Sequence, residues 1–580
     1  KKPNKMAETL VSPGVLAREN DQSFITRQPT QAGTAILGPT VKGPVNIPTL
    51  VTSYSDYVSR FGETFVSGGS VYSHLTSYSA YNYFTEGGTT LLVTRVVSGS
   101  FTSATSSTIA TGSAGPTSGL SPFVLATLSE GDIMNSTSTE ASTGALESGS
   151  IDNVRWEIPF VNTSSGQFTL VVRRGDDTQR EKSIIETFSN LSLDPFSENY
   201  ITKVIGDTKE TIGGDATDGY YVQETGSYPN RSNYIRVEAV NFNTPRYLDN
   251  SGNAKNEFTG SMPAIQSGSF GGASGEIFVG GPALFNENIN ATNIQGISPD
   301  DYTQSISLLS NQDDFQFNVI TMPGLNQNQH STEVAQLINM CQERGDAIAV
   351  VDLAPYNSTI LTYTGEAAEL NSSYAASYAP WLRVSDPGTG QLIWVPASTV
   401  IPGVYAFNDR VAEPWFAPAG LNRGGLSTVV KPERKYTQAN RDSLYDGKVN
   451  PIASFPNAGN VVFGQKTLQT KASALDRVNV RRLLIQLKGF ISQVADNLVF
   501  EQNTAATRNQ FLGSVNPYLE SVQQRQGLYA FKVVMDDSNN TPDVIDRNQL
   551  VGAIYLQPTK TAEFIILDFN VLPTGATFPS

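Results

Sequence analysis

The chain alternates between two hydrophobic periods, and each marks a different kind of element. From Thr34 an apolar run (TAILG), a Gly/Pro turn (GPTVKGPVNIP) and a second apolar run (TLVTS) read as two strands about a loop. SYSDYVSRFG has helical spacing with Gly62 at its end, residues 70–85 predict a second, Tyr-rich helix, and TTLLVTRVV at 89–97 predicts a buried strand. Farther on, FQFNVI (315–320) is a strand. Residues 331–344 place Val334, Leu337, Ile338 and Cys341 at i, i+3, i+4, i+7, the stripe of an amphipathic helix. DAIAVVDL completes a strand–helix–strand unit like the one before residue 98. Residues 22–97 and 296–400 are therefore expected to form one discontinuous α/β domain, and no tandem repeat is visible.

The stretch between them changes character. Residues 98–150 are dominated by Ser, Thr, Gly and Ala around one apolar run, FVLATL. Residues 151–295 add VRWEIPF, QFTLVVRR, SNYIRVEAV and GEIFVGG between polar loops, so both stretches read as β-rich insertions on the solvent side. A last domain starts at about residue 400 and carries the strongest helical signal, over 476–501. Val480, Leu483, Leu484, Leu487, Ile491, Val494 and Leu498 fall on one stripe there. Arg477, Arg481 and Lys488 lie in a narrow arc roughly 100° round from the centre of that stripe. A second helix is expected over 504–526 with a bend at Pro517, followed by the strands LYAFKVVMD, LVGAIYLQP and EFIILDFNVL. The fold class is thus a multi-domain α/β plus β protein.

Composition narrows the possible chemistry. A chain of 580 residues is too long for one core, so two to four domains are expected. The 49 glycines and 31 prolines suit a turn-rich, strand-containing protein rather than a helical bundle. A net charge of −15 argues against a wrapped nucleic-acid partner. Cys341 is the single cysteine, which excludes an intramolecular disulfide; with His74 and His330 it leaves too few N/S ligands for a structural zinc site. No apolar run approaches the roughly 20 residues that span a bilayer, and no direct membrane insertion is expected. No leader pattern opens the chain, and Met6, after Lys1 to Lys5, is the expected biological start.

Catalytic patterns are missing from the sequence. Neither histidine has a GxSxG partner, and no GxxxxGK[ST] or GxGxxG follows a strand. The acidic pairs Asp176-Asp177, Asp300-Asp301, Asp313-Asp314 and Asp536-Asp537 fit solvated turns, and Cys341 sits on an apolar stripe as a small hydrophobe. The reading is of a non-enzyme with no catalytic residue, metal or cofactor.

Three features concern association instead. At the C-terminus Ile565, Leu567, Phe569 and Val571 alternate along one face; this strand either closes its own domain's sheet or is donated to a neighbour's sheet edge. The Pro13-Gly14 arm over residues 7–22 has the same two readings. The basic arc on the long helix is either a solvated face or a docking surface for an acidic partner. The Ser/Thr/Gly-rich insertion is either decoration or a receptor-binding surface.

The stretch GLYAFKVVMDDSNNTPDVIDRNQLVGAIYLQPTKTAEFIILDF resembles the closing segment of tail sheath proteins of contractile-tailed bacteriophages, the myovirus type. The matching positions are Gly527, Tyr529, Asp536, Asp537, Asn539, Asn540, Pro542, Pro558, Glu563, Phe564 and Ile565. SPGVLARENDQS is similar to the family's N-terminal arm at Ser12, Pro13, Gly14 and Val15, and residues 186–207 also resemble a sheath segment. The resemblance implies a structural subunit that forms six-fold rings stacked helically around a tail tube. It implies a conserved inner domain over 401–562, built from both chain ends, with 98–295 outermost. The arm over 1–21 and the terminal strand and tail over 563–580, including Leu567 and Phe569, would add to neighbouring sheets. It further implies contact with baseplate and tail terminator proteins, a place in the virion tail after assembly in the host cytoplasm, and a tube contact through Arg477, Arg481 and Lys488. A genome-free injection particle or bacteriocin is the related alternative, and a tail-associated hydrolase the remote one.

Overall fold

The computed structural model describes residues 30–67, 69–112, 121–137, 140–215, 217–277 and 289–563. Its centre is one sheet of eight strands. In spatial order they are Thr49–Val51, Leu91–Arg95, Thr30–Gly38, Phe315–Asn326, Ile348–Asp352, Ala375–Ala379, Asn450–Phe455 and Gly459–Val462. The pairings from Leu91–Arg95 across to Asn450–Phe455 are parallel, and the two outermost are antiparallel. Parallel strands need both faces covered, which explains why Ile348–Asp352 and Ala375–Ala379 are buried at every position. The sheet does not stop at residue 400: it takes in 450–462, so the α/β domain reaches well into the segment expected to be a separate unit.

Local sequence sets the helix limits in this domain. Ser53 accepts the Asp56 N–H and starts Tyr54–Phe61, and Gly62 ends it at φ 74°. Ser331–Arg344 buries Val334, Leu337, Ile338 and Cys341 and stops at Gly345 in the left-handed region. The second helix is shorter than expected, Leu75–Thr85, because Ser70–Tyr72 pairs with Phe65–Ser67 as a small hairpin.

The chain leaves the central sheet after Arg95 and builds a separate antiparallel sheet of seven strands. Their order is Ile184–Ser192, Gln167–Arg174, Val154–Asn162, Gln266–Gly271, Ser103–Ser106, Phe123–Glu130, Ile235–Val240. Its core holds Phe123, Trp156, Phe168 and Phe270, with the Trp156 indole N–H on the Ser269 carbonyl at 3.1 Å. The strand expected at GEIFVGG is not present over 275–277, and its remainder lies outside the described residues; Gln266–Gly271 occupies the sheet instead. Two further strands, Lys209–Asp215 and Gly219–Thr225, form a hairpin of their own beside the central domain.

The insertion is tied to the central domain by buried cations. Arg95 Nη1 donates to the carbonyls of Gly43 and Glu130, both at 2.7 Å, and Lys42 Nζ donates to the Asp152 carbonyl at 3.1 Å. Where the insertion begins and ends, the Ser298 N–H meets the Ser98 hydroxyl at 2.9 Å.

Asp352 closes a central strand and accepts the Ser398 N–H at 3.1 Å and the Ser398 hydroxyl at 2.5 Å. Burial pushes its pKa up to about 7, against the pull of those two bonds. A carboxyl raised above its unfolded value contributes stability that is complete below about pH 4 and lost as pH rises through about 7. Asp352→Asn should therefore flatten this dependence. Its advantage over the wild type should grow between pH 4 and pH 8 by up to about 4 kcal/mol, measured by denaturant unfolding at several pH values.

Candidate functional site

The C-terminal unit is made from two helices and one hairpin. Val478–Asp496 and Ala505–Gln524 pack Leu483, Leu487, Leu498, Phe511, Val515, Leu519 and Val522 with Trp415, and Leu528–Val534 pairs with Ala553–Pro558 across the same core. Both helices are shorter than their hydrophobic pattern suggests: the first begins after Arg477, which is its N-cap, and ends at Asp496. Pro517 lies inside the second helix, which continues through it. Among the described residues each hairpin strand has one partner, so the outer edge of each carries main-chain groups with no strand opposite. Tyr529 falls at a register shift in this hairpin and is exposed, as is Tyr555.

The resemblance residues explain how the hairpin is held. Gly527 approaches so closely that a Cβ would lie 2.6 Å from Val522 and 3.2 Å from Trp415. Asn540 is buried and grips Val551 twice, donating to its carbonyl at 2.8 Å and accepting its N–H at 2.9 Å. Asn539 donates to the Val534 carbonyl at 2.8 Å and accepts the Asp536 N–H at 2.9 Å. Asp536 accepts the Ser538 N–H at 2.9 Å, and Asp537 pairs with Arg508 at 2.7 Å. Pro542 opens the short helix Pro542–Asp546, and Pro558 ends its strand opposite Leu528. These residues fix a loop and a strand register, a structural role that spacing alone did not reveal.

The junction between this unit and the central domain gathers at Glu563. Its carboxylate accepts Arg477 Nε at 2.7 Å and Nη2 at 3.0 Å, Gln465 Nε2 at 2.9 Å and the Tyr445 hydroxyl at 2.9 Å. Burial opposes its ionisation, but the Arg477, Gln465 and Tyr445 bonds outweigh that and hold the carboxyl below its usual range. A second tie joins buried Arg482 to Asp409 at 2.5 Å, with its guanidinium 4.7 Å from the Tyr405 ring. Sequence reading missed Tyr445, Gln465 and Arg482, since each is far from its partner along the chain.

The three basic residues do not form a free face. Arg477 is N-cap rather than helical and is spent on Glu563 and on Asp476 at 3.0 Å. Arg481 is buried, bonds the Ser373 hydroxyl and lies 4.0 Å from the Tyr374 ring. Lys488 is the exposed member, touching the Tyr374 hydroxyl at 3.2 Å. Ser12, Pro13, Gly14 and Val15, and Phe564, Ile565, Leu567 and Phe569, lie outside the described residues.

Catalytic chemistry gains nothing here. His74 is buried against the Phe65 ring at 5.1 Å, and His330 accepts the Asn326 N–H at Nδ1 and donates from Nε2 to the Asn290 carbonyl. Asp177 neutralises buried Arg173, and among the described residues no group of three His, Cys, Asp or Glu side chains is placed to hold a metal ion. Burial pushes the Cys341 thiol up.

Three parts result: an α/β domain, the β insertion it carries, and a helix–hairpin unit whose outer strand edges have no partner among the described residues. Residues 295–468 match the phage tail sheath protein central domain and residues 470–572 the phage tail sheath C-terminal domain. The tail sheath protein of Vibrio phage KVP40 is 38% identical over 234 residues, 40% of this chain and 35% of that protein. That of Enterobacteria phage T4 is 37% identical over 230 residues, again 40% and 35%. The chain thus spans about a third of the length of these curated relatives. A crystal structure of the sheath tail protein Lin1278 from Listeria innocua shares the fold at a TM-score of 0.50 and 10% identity, over 92% of this chain and 96% of that one.

Glu563→Gln removes the charge that holds Arg477 and should loosen the junction by about 1–2 kcal/mol. Tryptic cleavage after exposed Lys560 should then become several-fold faster at pH 7, read by mass spectrometry. In the wild type the same loosening should develop as pH falls below the usual glutamate range, where the depressed carboxyl takes up its proton.

Proposed function

We propose that this chain is the subunit of a contractile tail sheath, which polymerises in six-fold rings around a tail tube and drives it through the host envelope by repacking. The observation that carries the reading is the two-stranded sheet whose outer edges have no partner strand among the described residues, in a unit matched by the sheath C-terminal family model. Two strands are marginal alone, and open edges are completed by main-chain pairing with another chain. The segments over 1–21 and 564–580 are the proposed donors, entering sheets of neighbouring copies. Such links use backbone hydrogen bonds, so they survive a change of orientation between subunits.

In this arrangement the C-terminal unit is innermost and the 98–295 insertion faces outward. Contraction is a passage between two packings of one polymer, and a few kcal/mol per subunit, summed over many copies, suffices to drive it. The proposed partners are other copies, the tail tube protein, and baseplate and tail terminator proteins, all within the virion tail after assembly in the host cytoplasm. The reaction uses no nucleotide and no cofactor.

Purified protein should form striated hollow cylinders in electron micrographs. Removing residues 1–21 and 564–580 should leave a folded monomer, by circular dichroism, that no longer polymerises. Cylinders from the trimmed chain would overturn the strand-exchange mechanism.

For the tube contact, Lys488 is the exposed candidate. Lys488→Glu should keep the fold and lower tube binding several-fold in a salt-dependent way, read by co-sedimentation. Arg481→Glu should instead lower stability by about 3 kcal/mol or more, since it buries a carboxylate against the Tyr374 ring.

A further inference from the structure

The loop between the two long helices presents an aromatic side chain to solvent in an unfavourable backbone conformation. Phe500 is wholly exposed at φ 70°, and its neighbour Val499 is 60% exposed. Left-handed backbone is costly for a bulky residue, so such a conformation persists only where the surroundings impose it. They do so here. Leu498 is buried in the unit's core, the Leu498, Val499 and Glu501 N–H groups return to Ala495, Asp496 and Leu498, and Asn503 staples the loop to the Asn540 side chain and the Gln549 carbonyl. The knob is therefore rigidly held, and its flanks, Asp496 and Glu501, are exposed acids.

A complementary surface lies on the central domain. Leu421 is 61% exposed and Phe463 45% exposed, and the Gly420 and Val462 N–H groups, bonded to the Val462 and Gly424 carbonyls, bring their segments together. Arg441 lies 5.6 Å from the Phe455 ring and 5.8 Å from the Phe463 ring, and Arg423 lies 5.1 Å from the Phe416 ring. The nearest acids along the Arg441 helix are exposed Asp442 and Asp446. This patch is apolar and aromatic with guanidinium groups on its sides; the knob is apolar and aromatic with carboxylates on its sides.

The long helix separates the two surfaces. The helix of 19 residues between Arg477 and the knob is roughly 28 Å long. Arg477 packs beside Tyr445, on the same helix as Arg441. One chain therefore cannot seat its own knob. We propose that the Val499–Phe500 knob docks on the Leu421–Phe463 patch of a second copy, with Glu501 facing Arg441. Two different patches meeting in this way make a head-to-tail contact, the kind that closes into rings or extends as a helix. The proposal rests on the self-assembly reading above and adds a side-chain contact independent of the terminal segments.

The test uses full-length chains, in which native Cys341 is buried. Phe500→Cys and Phe463→Cys chains are mixed and oxidised, with wild-type assembly followed in parallel by electron microscopy. Covalent dimers from the mixture, and not from either chain alone, support the contact. Dimers of Phe500→Cys with itself, or no dimers at all, overturn it. Since cysteine substitution could weaken the knob, charge exchange provides a second readout. Glu501→Arg and Arg441→Glu should each lower pelletable polymer several-fold, and the double variant should recover most of it. Single variants that assemble like the wild type, or a double variant with no recovery, overturn the contact. So would losses traced to a bound tube protein instead of a second copy. Cylinders without the cross-link would sink this contact alone, and the cross-link without cylinders would sink the sheath reading alone.

Discussion

A hairpin has one inner ladder of hydrogen bonds and two outer rows of groups still seeking partners. In the C-terminal unit those outer rows belong to Leu528–Val534 and Ala553–Pro558, and among the described residues no strand faces them. The helices cover one face of the hairpin, which secures its core, but a helix cannot satisfy a strand edge. The strand exchange proposed for the protein depends on this incompleteness. A unit that is well packed yet, among its described residues, short of strands is one that the proposed exchange would complete.

Much of the unit's specific side-chain chemistry keeps the hairpin in register. Asn540 clamps Val551, Asn539 turns the strand end, and Asn503 binds the loop back to the helix pair. A one-residue slip in a strand moves every side chain to the other face, so the strand exchange proposed above would need this alignment fixed beforehand. The Glu563 junction has a related role: it holds the point where the chain leaves the described unit against Arg477, Tyr445 and Gln465, so the position of that departure is set by the central domain.

Period and capping were legible in the sequence where the elements are long and strongly patterned. Ser331–Arg344 and the apolar stripe of Val478–Asp496 are read directly from residue spacing, and Gly62 from its position after a helix. What escaped was long-range. The strand Gln266–Gly271 is mostly Ser and Gly, and its place comes from the strands on either side rather than from its own preference. Asn450–Phe455 takes as its parallel neighbour Ala375–Ala379, some 70 residues earlier, which no local signal encodes. The basic arc was visible, but not that Tyr374 and Glu563 take up two of its members. Cation–π and ion-pair partners brought together by tertiary folding leave no mark in a one-dimensional pattern.

The insertion has its own core, and its two connections to the rest of the molecule meet where the Ser298 N–H reaches the Ser98 hydroxyl. An excursion whose departure and return coincide in space can be lengthened, shortened or exchanged without re-threading the sheet it departs from. Changes in its length or sequence are therefore absorbed within the insertion's own core. The parallel strands beneath keep their pairing whatever the insertion carries.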